Sequence, residues 1–157
     1  MKLNLYGSGT DMDAHSIPQQ FIRIWLGPNP IPEMFQEWWR DFKEIHPDFK
    51  FLTITDNTEI ILPKNLEDIY HAVNTYASRS DILRLIALYE LGGIYVDTDV
   101  MPLRSFEKLL KDKPFIAKRS SKSFESAIIG SPAKHPALLD LINSLPSWYE
   151  KHKDRSA

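Results

Sequence analysis

The chain has 157 residues, 43% of them hydrophobic, a formal net charge of −2 and no cysteine. That length and apolar content can bury one sizeable core without covalent staples, and the near-neutral charge excludes the broad basic field that nonspecific binding to nucleic acid or to an anionic membrane needs. The lack of cysteine excludes disulfides and thiol redox chemistry and suits a reducing compartment; no apolar run approaches the ~18 residues of an integral membrane segment.

In chain order, residues 1–16 are polar, carry Asp11 and Asp13, and differ from a signal peptide. Gly7, Ser8, Gly9 and Thr10 predict a loose N-terminal arm, with Lys2 to Tyr6 able to pair as an isolated strand. A soluble, cytoplasmic chain is expected. Phe21 to Leu26 reads as a buried strand, and Gly27 to Pro32, with Pro28, Pro30 and Pro32, as an irregular loop at its end. Phe35, Trp38, Trp39 and Phe42 recur at helical spacing, which predicts a helix over 32–45 with these rings in the core rather than on a ligand platform. Phe49 to Ile54 is a second strand ending at the turn residues Asp56 and Asn57, and Leu66 to Tyr76 is expected to be helical.

The next helix is expected to be capped by Ser78 or Ser80, with Asp81 in its first turn and Ile82, Leu85, Ile86 and Tyr89 forming one buried face. Gly92 supplies a helix stop and Gly93 a close backbone approach before the strand residues Ile94 and Val96. Phe115 to Lys118 and Ala127 to Ile129 are short strand candidates, and Pro136 opens a last helix packed through Leu138, Leu139 and Ile142. The alternation predicts a single-domain, Rossmann-like α/β sandwich. Its division is an arm over 1–16, a body over 17–145 and a charged tail over 146–157.

The chemistry concentrates in Gly92-Gly93-Ile94-Tyr95-Val96-Asp97-Thr98-Asp99. In extended chain Asp97 and Asp99 point the same way, about 6–7 Å apart at the backbone. Carboxylates this close repel unless a cation sits between them, and Mg²⁺ or Mn²⁺ suits oxygen ligands. A bare D-x-D is also a common strand-end turn; its place at the carboxyl end of a strand in an αβ unit, where open α/β sheets bind ligands, favours function. Asp81 and Arg84 lie one helical turn apart, which by itself means an ion pair of at most about 0.5 kcal/mol. A calcium loop is disfavoured because Pro102 and Lys108 occupy its glycine and glutamate positions. No Ser, Cys or Lys nucleophile stands beside a base.

The run Ser80-Asp81-Ile82-Leu83-Arg84 through Gly92-Gly93-Ile94-Tyr95-Val96-Asp97-Thr98-Asp99 resembles the sugar-nucleotide site of the DXD-containing glycosyltransferases. That group includes capsular-polysaccharide enzymes, yeast-type mannosyltransferases and the catalytic domain of clostridial glucosylating toxins. Phe21 to Gly27 with Pro30-Ile31-Pro32 is similar to the family's first strand and loop, and Ala127 to Ser131 with Lys134-His135-Pro136 is a weaker third match. The similarity spans residues 17 to 145.

The resemblance implies a glycosyltransferase A-type (GT-A) fold with one nucleotide site. It assigns Asp99 to direct ligation of Mn²⁺ or Mg²⁺, Asp97 to the ribose or the cation's water shell, and Asp81 with Arg84 to hydroxyls of the donor sugar. It leaves Trp25 open between stacking on the base and a place in the core, Tyr95, on the strand face of Asp97, open between the edge of the nucleotide and simple packing with its hydroxyl to water, and Lys118 and Arg119 open between phosphate contact and ordinary solvation. His135 is read as structural. The implied reaction moves a sugar from a nucleotide diphosphate sugar, a UDP-sugar ahead of GDP-mannose, to a saccharide or other hydroxyl acceptor with retention, as in polysaccharide biosynthesis. The chain departs from the pattern at Ile22, where relatives often carry histidine, and at Ser126, where they often carry asparagine. It also stops sooner than most relatives, which leaves open a minimal enzyme, a fragment, or a chain whose acceptor site a protein partner completes. Two rival readings remain: a haloacid dehalogenase-like phosphatase with Asp97 as nucleophile and Asp99 as general acid, and a catalytically silent sugar-nucleotide-binding module.

Overall fold

The computed structural model describes residues 2–4, 16–111 and 113–153, the first three as backbone only. Its strands are β1 (Lys2–Asn4), β2 (Gln20–Ile24), β3 (Lys50–Ile54), β4 (Glu59–Ile61), β5 (Gly93–Val96), β6 (Phe115–Ser120) and β7 (Ser123–Ser131). The helices are α1 (Glu33–Ile45), α2 (Lys64–Ala72), α3 (Tyr76–Leu91) and α4 (Pro136–His152), with a 3-10 turn over Glu107–Lys111. Five strands form one sheet in the order β3-β2-β5-β7-β6, in which β3, β2 and β5 run parallel and β7 runs antiparallel to both of its neighbours, β5 and β6. β1 pairs with β4 in a separate parallel ladder, which brings the isolated strand expected near the N-terminus into register Lys2 to Glu59. The rest of the predicted arm, residues 5–15, and the end of the predicted tail, residues 154–157, lie outside the described residues; α4 runs on through Pro146 to His152.

The parallel strands are apolar because they are covered on both faces. Alternation along β2 sends Phe21 into one cluster with Trp39, Phe42, Phe49, Ile94 and Val96. It sends Ile22 and Ile24 into the other, with Ile54, Leu83, Ile86 and Tyr95. Ile22, the departure from the histidine of relatives, is fully buried there. Phe21 is the hub of the first cluster, with ring centroids of Phe42, Phe49, Phe51 and Phe106 all within 4.9–5.6 Å. Buried His46 completes it: the Phe106 amide donates to its Nε2 at 2.9 Å, so its Nδ1–H donates to the Phe42 carbonyl at 2.9 Å. This pair pins the loop that follows the D-x-D to the aromatic core.

Three sequence expectations about the helices are corrected. The segment expected as one helix over 66–76 is the end of α2, an extended Val73 and the start of α3. The cap of α3 is Thr75, whose Oγ1 accepts from the Ser78 amide at 3.0 Å, so neither Ser78 nor Ser80 caps it and Asp81 falls in the second turn. The single buried face is also wrong: Ile82, Leu83, Arg84, Ile86, Ala87 and Leu88 are buried while Leu85 and Tyr89 are half-buried. The reason is that α3 is sandwiched between the sheet and α4, and a helix covered on two sides loses its one-sided stripe.

The break from α3 into β5 follows the sequence reading. Gly92 and Gly93 both have positive φ, 63° and 102°. A Cβ on Gly93 would lie 2.5 Å from Gln20 Cγ and 2.8 Å from the Gln20 carbonyl. That space is used by Gln20 Nε2, which donates to the Leu91 and Gly92 carbonyls at 2.8 and 2.9 Å and so satisfies acceptors left over at the helix end. β2 thereby fixes where β5 starts, and hence where its carboxyl end delivers Asp97.

Candidate active site

β5 ends at Val96 and the chain turns at once, so Asp97 and Asp99 do not share a strand face as the extended spacing predicted. The Asp97 amide donates to the Ala127 carbonyl at 2.8 Å as the last bond toward β7, and the Val100 amide donates back to the Asp97 carbonyl at 3.1 Å, closing a turn. Thr98 Oγ1 donates to the Ile24 carbonyl at 2.9 Å and ties that turn to the end of β2. Through the turn both acids reach one cleft of about 370 Å³.

Arg84 organises the cleft floor. It rises from α3 with only 7% of its surface exposed, and its Nη2 lies 2.6 Å from Asp81 Oδ1. Its Nη1 lies 3.2 Å from Asp97 Oδ1 and donates to the carbonyl and Oγ of Ser126 at 2.8 and 3.0 Å. The guanidinium carbon sits 4.7 Å above the Tyr95 ring, and the Tyr95 hydroxyl donates to Asp97 Oδ1 at 2.6 Å. A planar fork of donors can serve several acceptors in this way and an ammonium cannot. Arg84 thus joins α3, β5 and β7 around one carboxylate, which is more than the surface ion pair that spacing alone describes.

Electrostatics sharpen the assignment. Burial, with smaller contributions from the neighbouring acids, pushes the Tyr95 phenol well above its ordinary value against the pull of Arg84, so it stays a donor. Partial desolvation, with a smaller push from Asp97, raises the Asp81 carboxyl above its usual range although Arg84 pulls it down. Asp81 keeps 64% of its side chain exposed, so solvent screens this shift and its effect on stability is small.

Asp99 is exposed and its carboxylate has no hydrogen bond or ion pair among the described residues, while Asp97 Oδ2 is likewise uncommitted. These hard oxygen donors beside one cleft fit a cation that takes one or two protein carboxylates and completes its shell with phosphate oxygens and water. Among the described residues no group of three or more His, Cys, Asp or Glu converges.

The remaining predicted residues divide. Trp25 lines the cleft, its amide bonded to the Ile54 carbonyl at 2.9 Å and its Nε1 donating to the Asn29 carbonyl at 2.7 Å. Lys118 and Arg119 are exposed on β6 and do not line it. His135 caps α4, its Nδ1 accepting from the Ala137 amide at 3.3 Å. Lining or supporting residues that escaped the sequence reading include Phe35, assigned there to the core; Tyr76, assigned to the end of the preceding helix; and Ser126, noted only as a departure. Tyr76 also packs its ring against Gly27, whose φ is +100° and whose amide donates to Asp56 Oδ2 at 2.7 Å.

Residues 32–116, more than half of the chain, match the family model described as glycosyltransferase sugar-binding region containing DXD motif. The chain belongs to this family of glycosyltransferases. It is 29% identical over 138 residues to inositol phosphoceramide mannosyltransferase 3 of Schizosaccharomyces pombe, covering 85% of this chain and 38% of that protein. It is 30% identical over 118 residues to the human alpha-1,4-N-acetylglucosaminyltransferase, covering 66% of this chain and 34% of that protein. It therefore spans between a third and two fifths of the length of these two relatives. The solved structure of the PaToxG glycosyltransferase superposes with a TM-score of 0.74 at 22% identity, over 87% of this chain and 63% of that one, and the fold is GT-A type. Family membership displaces the phosphatase alternative, whose nucleophile would have been an Asp97 already held by Tyr95 and Arg84. Among the described residues no helix is long and apolar enough to cross a membrane.

Proposed function

We propose that this chain carries the donor site of a metal-dependent glycosyltransferase that moves a hexose from a nucleotide diphosphate sugar to a hydroxyl acceptor. The observation that carries the reading is the Arg84 hub beside an unpaired Asp99: one acid is oriented by the protein and the other is left open. Asp99 and Asp97 would hold Mn²⁺ or Mg²⁺. When bound, that cation would neutralise charge on the departing diphosphate. Asp81 and Arg84 are set to meet hydroxyls of the donor sugar, and Trp25 with Tyr76 offers aromatic surface for the base. Tyr95 works beneath them by orienting Asp97.

A UDP-sugar is the first choice of donor, with GDP-mannose second. The relatives, one a mannosyltransferase and one an N-acetylglucosaminyltransferase, support a hexose without selecting one. No uncommitted carboxylate besides the cation pair lines the cleft among the described residues, which supports retention by substrate assistance. In that reading the bond from the anomeric carbon to the diphosphate breaks, the acceptor oxygen bonds to the same face, and the acceptor proton passes to a diphosphate oxygen. The acceptor is read as a growing saccharide, with a protein partner helping to complete its site. The cysteine-free composition supports a reducing, cytoplasmic setting. The second reading is a silent sugar-nucleotide-binding module, in which the same cleft binds a donor without turnover.

A thermal-shift panel of nucleotide sugars with and without Mn²⁺, followed by measurement of released nucleoside diphosphate, separates these. The transferase reading expects a cation-dependent shift with one donor and release of its diphosphate. Binding without release supports the silent module, and no cation-dependent binding by any donor defeats both.

A further inference from the structure

A second polar pocket of about 280 Å³ lies between the turn after β3, helix α2 and the first turn of α3. We propose that it is a carbohydrate-binding site for one neutral saccharide unit, separate from the donor cleft. Its size falls just below the ~300–1,000 Å³ of pockets for drug-sized ligands and suits a single ring.

The lining offers both halves of what a hydroxyl-rich ligand needs. Arg79 faces the pocket with no ion pair among the described residues, and its Nε is buried without a hydrogen-bond partner. Thr58 Oγ1 accepts from the Thr55 amide at 3.1 Å and Thr55 Oγ1 from the Asn57 amide at 3.3 Å, so both hydroxyl protons remain available to donate. Asp56 spends only Oδ2, on the Gly27 amide at 2.7 Å. Glu67 has Lys64 at 3.8 Å, but that ammonium sits closer to Asp68, at 2.8 Å. Ile60 and Leu62 in the lining give apolar surface for sugar C–H groups, and the Tyr70 ring lies beneath the Arg79 guanidinium at 5.6 Å. An inorganic anion would satisfy Arg79 but meet Asp56 and Glu67, and a cation would meet Arg79. A neutral polyol uses all of these groups at once.

The pocket also neighbours the cleft. Asp56 in its wall holds Gly27, two residues after the cleft tryptophan Trp25, and α3 lends Arg79 to the pocket while lending Tyr76, Ser80 and Arg84 to the cleft. A saccharide unit held here would be a remote part of the acceptor, and in that assignment the inference rests on the transferase reading.

Saturation-transfer NMR on the full chain, without nucleotide or cation, tests it with the methyl glycosides of mannose, glucose, galactose and N-acetylglucosamine. The expected result is transfer to at least one glycoside, reduced at least fivefold by Arg79→Ala and by Glu67→Gln and retained in Asp99→Ala, with folding checked by circular dichroism. Should Arg79→Ala misfold, Glu67→Gln decides. Absence of transfer to every glycoside overturns the proposal, as does transfer that both pocket substitutions leave intact. Perturbation of Arg79 by inorganic phosphate and not by glycosides overturns it in favour of an anion site. Because no nucleotide is present, failure of the donor reading would leave the glycoside result standing, and the converse also holds.

Discussion

The Tyr95 hydroxyl and Arg84 Nη1 converge on a single oxygen, Asp97 Oδ1, at 2.6 and 3.2 Å. The first acid of the D-x-D is therefore oriented before any ligand arrives, with its other oxygen left over.

Tyr95→Phe removes that orienting bond while keeping the ring under Arg84. A hydrogen bond to a charged acceptor contributes about 1.5–3 kcal/mol, so kcat/KM should fall about ten- to a hundredfold. Steady-state kinetics on a folded variant check this; an unchanged kcat/KM would mean that Asp97 needs no orienting.

Arg84→Lys keeps the charge but cannot reach Asp81, Asp97 and Ser126 together. Activity should drop at least a hundredfold with a lowered melting temperature. Arg84→Ala should cost about 3 kcal/mol, the lower end for breaking a buried pair because the partner acids keep some solvent. Chemical denaturation measures the second effect.

Asp81→Asn separates stability from function. The folded-state carboxyl of Asp81 is raised above its unfolded value, so the native state binds its proton more tightly and this group's contribution falls as pH rises through the folded value. The amide variant should therefore flatten the decline in stability with rising pH across the range just above the ordinary aspartate value, while donor turnover collapses. Melting curves taken through that range read the first part; a decline as steep as that of the wild type contradicts it.

Gly27→Ala would place a Cβ 2.7 Å from the Tyr76 ring at a φ of +100°. The backbone strain alone costs about 1–3 kcal/mol, and the displaced ring should weaken nucleotide binding. Denaturation and nucleotide titration of the same variant should both move.

The sequence revealed the acids, the double glycine and the flanking strand because each is a local signal: a residue type at a fixed spacing, or a backbone conformation that only glycine adopts freely. It hid what is built across distance. Ser126 meets Arg84 across 42 positions and Phe106 meets His46 across 60, and no periodicity reports such pairs. Phe35 shares the helical stripe of Trp39 and Phe42, yet lies in the first turn of α1, at the cleft, where those two are buried on the sheet. Tyr76 was misplaced because the α2–α3 break at Val73 to Thr75 contains neither glycine nor proline.

Titration calorimetry of uridine diphosphate, with and without Mn²⁺, on the wild type and on Asp99→Ala addresses the central claim most directly. Exposed and unpaired, Asp99 should be removable within about 0.5 kcal/mol of stability. The expected result is at least tenfold tighter binding with Mn²⁺ in the wild type and no cation effect in the variant. Equal affinity with and without Mn²⁺ in the wild type, or a cation effect that survives Asp99→Ala, would contradict the account.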